Sequence, residues 1–261
     1  MHITPLRCGS LDWPAADLEE GAEGRVALIV WSFLVRHPAG TLLFDTGMHP
    51  DLRADPHRRL GDLADYFGLA YGAGDDLSAR LGAAEVDPDE VDVVVASHLH
   101  WDHCGGNALA PQARVVVQRR EWAHATADDV DPGGYVRDDF DTGQDLVLVD
   151  GEHDVFGDGR VVCVPTYGHT PGHQSLRVRL ADGEVLLAAD ACMLHRHLDT
   201  LRGASFDEDP AAVHDVLTGF AQARRHGRVV VCGHDELGPD AAGALAPEPP
   251  PAAATGPASR S

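Results

Sequence analysis

The chain has 261 residues, 42 acidic and 20 basic, for a formal net charge of −22, and every basic residue is Arg. Such a surface repels phosphate backbones and anionic lipid, so neither nucleic acid nor a membrane is an expected partner. Cys8, Cys104, Cys163, Cys192 and Cys232 contain no Cys-x-x-Cys pair, no basic-then-apolar leader opens the chain, and the apolar run 26–35 is too short to span a bilayer, which together predict a cytoplasmic protein without a disulfide scaffold.

In chain order, residues 1–24 are mixed and rich in Gly, Asp and Glu, as for a strand or two with loops. Residues 26–36 and 41–44 predict a hairpin across His37-Pro38-Ala39-Gly40. It ends at Asp45-Thr46-Gly47, where Asp45 either bonds turn amides or orients a metal-bound imidazole, and spacing leaves both open. Residues 48–74 place Met48, Leu60, Leu63, Tyr66, Phe67, Leu69 and Tyr71 among prolines and glycines, predicting a loop or short helix over a site. A helix capped by Asp75 or Asp76 buries Leu77 and Leu81 and closes before Pro88. The run Val91-Asp92-Val93-Val94-Val95-Ala96-Ser97 is short and β-branched, a strand buried on both faces. It opens directly into His98-Leu99-His100-Trp101-Asp102-His103-Cys104-Gly105-Gly106-Asn107.

Residues 114–118 predict another buried strand, 119–126 a helix, 128–144 an acidic insert and 146–149 a strand. A strand over 161–165 leads to Gly168-His169-Thr170-Pro171-Gly172-His173, and 174–180 and 185–189 form a hairpin through Asp182-Gly183. That hairpin stops at Asp190, before a loop with Cys192, Met193, His195 and His197. Asp209 caps and Pro210 opens a helix with Val213, Val216, Leu217 and Phe220 on one face. Residues 228–231 are the last strand, ending at Gly233-His234-Asp235. One domain over 1–245 is expected, with the Pro/Ala-rich segment 246–261 a disordered tail.

Four strand ends therefore deliver His98 to His103, His169, Asp190 and His234, at the edge where sites collect in mixed α/β architecture. Alternate residues of an extended loop share a side, so His98 and His100 grip one ion together. Stray surface histidines explain one or two such residues, not this set behind a core strand. The natural partition gives His98, His100 and His169 to one ion, and Asp102, His103 and His234 to the other. Asp190 bridges, because carboxylates bridge metals well and imidazoles do not. Two divalent ions about 3.5–4 Å apart lower the pKa of a shared water from about 15.7 to roughly 7 and polarise a carbonyl. The expected chemistry is hydrolysis by a metal-bridging hydroxide, with Asp102 or Asp190 passing a proton to the leaving group. Zn2+ is the default ion, with Fe, Mn or Co in reach. Cys104, Cys192 and Cys232 read as small buried groups, and His173 as bonded within its own loop. His37, His49, His57, His124, His153, His214 and His226 are expected to face solvent.

The series His-x-His-x-Asp-His, Gly-His-Thr-Pro-Gly-His, Ala-Asp, Gly-His resembles the metallo-β-lactamase superfamily over residues 1 to about 240. The resemblance implies an αββα sandwich, two mixed sheets flanked by helices, with a dinuclear metal site at one edge. His100 stands where diiron oxidases carry Glu, and Asp190 where the commonest true β-lactamases carry Cys, which argues against both. Asp45-Thr46-Gly47-Met48, the stretch from Ser97 to Asn107, Gly168-His169-Thr170-Pro171-Gly172-His173-Gln174-Ser175-Leu176 and Gly233-His234-Asp235 are most similar to the N-acyl homoserine lactonases. That branch usually carries Tyr three residues after the bridging Asp, where Met193 stands here. His195, His197 or Tyr167 is the expected substitute donor, and Met48, Trp101, Met193 and His195 are the expected pocket.

The resemblance thus implies a dinuclear-metal hydrolase opening the lactone ring of N-acyl homoserine lactones, as a monomer or homodimer. Two alternatives stand beside it. One is a hydrolase of another lactone, ester or thioester, as in pyridoxolactonase or glyoxalase II. The other is a metal-binding protein without turnover.

Overall fold

Alternation of side chains along doubly buried strands sets the layers of the computed structural model, which describes residues 1–128, 130 and 134–245. The tail expectation for 246–261, and part of the acidic insert, lie outside the described residues. Of the strand or two expected in residues 1–24, the structure forms one long strand, β1 (His2–Pro14), paired antiparallel with β2 (Arg25–His37). β2 turns back as β3 (Gly40–Phe44) with Phe33 opposite Phe44, the hairpin expected from the sequence. β4 (Gly68–Ala70) lies on the other side of β1. Beyond β3 the sheet continues in parallel through β5 (Val93–Val95), β6 (Arg114–Gln118) and β7 (Leu146–Val149).

A second sheet runs in the order β12-β11-β10-β9-β8. Its strands are β8 (His153–Asp154), β9 (Val161–Pro165), β10 (Gln174–Leu180), β11 (Gly183–Leu187) and β12 (Val229–Val231). β10 and β11 pair antiparallel around the Asp182-Gly183 turn, while β11 and β12 run parallel. Both sheets are mixed, as expected.

The period of two then sorts the side chains. Leu42, Phe44, Val93 and Val95 meet Cys163, Leu176, Val185 and Leu187 between the sheets. Leu43 and Val94, one residue out of phase, face a separate outer cluster with Leu77, Leu81 and Trp101. Leu186 and Val230 do the same on the second sheet, against Val213, Leu217 and Phe220. Each such fully buried aliphatic or aromatic side chain contributes about 1.5–3 kcal/mol, so the four layers follow from the pattern.

The outer layers comprise α1 (Pro56–Leu60), α2 (Leu77–Ala83), α3 (Trp101–Cys104), α4 (Arg119–Ala125) and α5 (Arg137–Phe140) in the first half. The second half adds α6 (His195–Thr200), α7 (Pro210–Arg225) and α8 (Pro239–Ala244). Asp76, not Asp75, caps α2 by accepting from Ala79 N, and Asp209 caps α7 by accepting from Ala211 N and Ala212 N. No helix of the described residues is long and apolar enough to cross a membrane.

Candidate metal centre

The ends of β5, β9, β11 and β12 bring the expected residues to one edge. Gln174 N donates to Ser97 O and Ile29 N to His234 O, tying the loops of the two sheets together there. Two non-glycine residues at strand ends adopt left-handed backbone, Asp45 at φ 58° and Ala189 at φ 46°, the kind of strain that clusters at working sites. Gly233 is needed where it stands, because a Cβ there would come within 2.5 Å of Ala189 O.

His98 Nε2 lies 2.9 Å from His100 Nδ1, and His169 Nε2 lies 3.2 Å from the same nitrogen. Asp102, His103 and His234 make a second group. Asp190 stands between the two, with Oδ1 3.2 Å from His103 Nε2 and 3.0 Å from His234 Nε2, and Oδ2 3.4 Å from His169 Nε2. Asp102 Oδ2 lies 3.6 Å from His103 Nε2 and 3.8 Å from His234 Nε2.

Four of the five imidazoles are gripped from behind. His103 Nδ1 donates to Asp45 Oδ2 at 2.9 Å, His169 Nδ1 to Asp207 Oδ1 at 2.9 Å, and His234 Nδ1 to Ile29 O at 2.8 Å. Ser97 Oγ donates to Asp45 Oδ2, so it accepts from His98 Nδ1 at 2.9 Å. A neutral imidazole with its proton on Nδ1 offers Nε2 to a cation, so these four rings are set to ligate through Nε2. Burial lowers His103, His169 and His234, but the carboxylates of Asp190 and Asp207 outweigh it and raise them above the ordinary histidine range, so a cation there would take the place of a proton on Nε2. Asp45 bonds no amide of its own turn here: its Oδ1 accepts from Ser97 N, 52 residues away, while its Oδ2 holds His103 from behind.

This donor set suits divalent cations. His103 Nε2 and Asp190 Oδ1 are buried and make no hydrogen bond, although 3.2 Å apart. Buried polar atoms left in that state are costly, and a shared cation relieves both. Burial holds His98 and His100 well below the ordinary histidine range, keeping them neutral as ligands must be. Burial pushes Asp190 up, but His234 and His103 outweigh it and hold its carboxyl well below the usual range.

Glu121, on α4, binds the two histidine loops together. Its Oε1 accepts from Leu99 N and Tyr135 OH, and its Oε2 from Thr170 Oγ1 and Gly172 N. A Cβ on Gly172 would sit 2.1 Å from Glu121 N, so the loop closes this tightly only with glycine. Whichever oxygen a glutamine replaced by NH2, one backbone N–H would lose its acceptor. Glu121→Gln is therefore expected to cost about 2–4 kcal/mol and lower the melting midpoint by about 5–10 °C, measured by circular dichroism. An unchanged midpoint would refute this role.

The cluster lies at the floor of a cavity of about 710 Å3, where His100, Asp102, His169, Asp190 and His234 are accessible from one side. Trp13, Leu63, Tyr66, Trp101, Tyr135, Met193 and Phe206 wall it. Trp101 and Met193 thus stand where expected, but Met48 and His195 do not. Met48 is fully buried in the core, turned inward at the Gly47 bend, and its carbonyl accepts from Tyr71 OH. His195 lies off the cavity, with its backbone N on Asp235 and Nε2 on Glu236 O. His197 bonds Leu18 O and Tyr167 bonds Gln118, so none of the expected substitute donors reaches the cavity. His124 does line it, paired with Glu208 at 3.0 Å, and His37 is stacked on Phe156 with its side chain 3% exposed; neither faces solvent freely. Asp207, Glu121, Tyr135, Trp13 and Phe206 escape the sequence reading, because each acts from outside any local motif.

This arrangement of two facing mixed sheets, outer helices and an edge cluster of His and Asp defines the chain's class: it belongs to the metallo-beta-lactamase superfamily, whose sequence model matches residues 25–234. Within it, the chain is similar to the N-acyl homoserine lactonase AttM of Azorhizobium caulinodans, 38% identical over 92% of this chain and 94% of that protein. Among solved structures it is similar to an N-acyl homoserine lactone hydrolase with N-hexanoyl-L-homoserine bound at its catalytic metal center, at TM-score 0.79 and 23% identity, covering 90% of this chain and 95% of that one. It is also similar to the dizinc quorum-quenching lactonase AidC, at TM-score 0.67 and 14% identity, covering 89% and 86%.

Proposed function

We propose that this protein is a dinuclear-metal hydrolase that opens the lactone ring of N-acyl homoserine lactones. The observation that carries the reading is Asp190, placed between two imidazole groups at the floor of an apolar-walled cavity. His98, His100 and His169 would hold one ion, and Asp102, His103 and His234 the other, with Asp190 shared. Zinc fits this imidazole and carboxylate set. Such a pair supplies a water that is deprotonated near neutral pH and polarises a carbonyl.

The chain's own residues do the rest. Trp13, Trp101, Met193 and Phe206 give a neutral acyl substrate an apolar wall and exclude water around the ring. Asp102, at the floor and lining the cavity, would take the proton given up by the attacking water and hand it to the departing alkoxide oxygen. No Arg lines the cavity among the described residues, while Asp17 and Glu208 do, which favours a neutral lactone over an anionic glutathione thioester.

A pH-stat panel tests the reading with acyl homoserine lactones of several chain lengths, S-lactoylglutathione, an aryl ester and a cephalosporin. Lactone turnover is expected to dominate. A metal-loaded protein inactive on every lactone would overturn the proposal in favour of a metal-binding role. Asp207 orients His169 from behind, and losing its charge weakens that grip. Asp207→Asn is expected to lower metal affinity about 10–100-fold, read by competition with a chromophoric chelator. Unchanged affinity would remove Asp207 from that role.

A further inference from the structure

Two thiols that the proposed hydrolysis does not use face each other beside the metal cluster. Cys192 ends the turn that carries Asp190, and Cys232 lies two residues before His234. Although 40 residues apart in the chain, their Sγ atoms are 3.7 Å apart. Both are buried, at 1% and 2% exposure, and neither is in a disulfide. Their backbones already run together: Gly233 N donates to Cys192 O and His234 N to Met193 O, each at 2.9 Å. The partly exposed His195 ring covers the other side of Cys232, with Nδ1 3.4 Å from its Sγ. One side chain, the partly exposed His195, thus touches Cys232, which in turn faces Cys192. Cys8 and Cys104 bond backbone carbonyls, as Cys192 also does to Leu194 O at 3.6 Å.

We propose that Cys192 and Cys232 are a redox modification site, closing to a reversible disulfide under hydrogen peroxide and thereby displacing Asp190 and His234. The Cys232 sulfur attacks peroxide and breaks its O–O bond, giving a sulfenic acid and one water; sulfur is oxidised and peroxide reduced. The Cys192 sulfur then attacks that sulfur, the S–S bond forms, the S–O bond breaks, and a second water leaves with the thiol proton. The sum is two thiols and one peroxide giving one disulfide and two waters. A dithiol such as dithiothreitol reverses it by exchange.

The coupling to the site is geometric. A disulfide needs its sulfurs about 2.05 Å apart, so the two must draw in by roughly 1.6 Å. Asp190 Oδ1 and His234 Nε2 lie 3.0 Å apart on the same two turns, and shifts of about 1 Å at such a site cost about a hundredfold in rate. The effect on turnover rests on the lactonase reading; the cross-link itself does not.

The test treats metal-loaded protein with peroxide, denatures it, alkylates its thiols and weighs it. Untreated chain is expected to take five alkyl groups and treated chain three, with a peptide map joining Cys192 to Cys232 and dithiothreitol restoring five. Cys232→Ser and Cys192→Ala should each give no such link, while Cys8→Ser keeps it. Lactone turnover should fall at least tenfold on oxidation of the wild type and return with dithiothreitol, whereas Cys192→Ala keeps its rate under peroxide. Five alkyl groups after treatment, or a link between other cysteines, would overturn the site. A Cys192–Cys232 link with unchanged turnover would overturn the coupling. A reduced protein that never hydrolyses lactones would sink the functional reading and leave the cross-link standing.

Discussion

Alanine in place of Asp190 is expected to lower lactone turnover about a thousandfold or more and to reduce bound metal below two ions per chain. A metal pair supplies several kcal/mol of transition-state stabilisation, at about 1.36 kcal/mol per tenfold in rate. Among the described residues, Asp190 is the one side chain whose two oxygens reach both imidazole groups, Oδ1 toward His103 and His234 and Oδ2 toward His169. Alanine leaves the His98, His100 and His169 group with neutral ligands alone and the other group with Asp102 as its one carboxylate, and the cations lose the charge that draws them together. Asp190→Asn separates shape from charge. It keeps the volume and one acceptor oxygen, and is expected to lose nearly as much. Steady-state kcat/KM and metal content by mass spectrometry are the measurements. Wild-type turnover in the alanine variant, with two ions bound, would remove Asp190 from the shared position.

How much of this was legible in the sequence depends on how local the signal is. The cluster from His98 to His103 is carried by six consecutive residues behind a β-branched strand, so spacing alone points at it. The layers were legible only through the family resemblance; the structure shows their cause in Leu42, Leu43 and Phe44, which alternate between two burial environments. Asp207 was not, because its contact with His169 spans 38 residues and nothing near it marks a site; the neighbouring cap Asp209 is the conspicuous residue. Glu121 likewise has nothing near it in the predicted helix 119–126 to mark it, yet it is fully buried with four donors around it. Met48 and His195 misled in the opposite direction. Met48 follows the turn of Asp45 and His195 comes five residues after Asp190, but a left-handed Gly47 and the Asp235 bond to His195 N point them elsewhere. Nearness in sequence constrains a side chain's position, and only the backbone fixes its direction.

The site's share of overall stability gives the second large effect. Stripping the ions with a strong chelator is expected to abolish turnover and to lower the melting midpoint by about 10 °C. Ligands that bind only the native chain stabilise it by about 4.1 kcal/mol at a thousandfold excess over Kd, and a chain of this length shifts about 2–4 °C per kcal/mol. The native fold alone can hold these ions, because its ligands lie on loops after β5, β9, β11 and β12 and meet only when both sheets have docked. Without them, His103 Nε2 and Asp190 Oδ1 stay buried and without a hydrogen bond, a cost that the ions offset. Zinc added back should restore both the midpoint and the turnover. Manganese and cobalt, tested beside it, rank the ions by affinity and by rate separately. If turnover vanished while the midpoint held, the ions would be bound too loosely to the folded chain to belong to this cluster. If chelation changed neither, the histidines and Asp190 would have to be explained as a hydrogen-bonded core, for which their crowded and unpaired nitrogens are poorly suited.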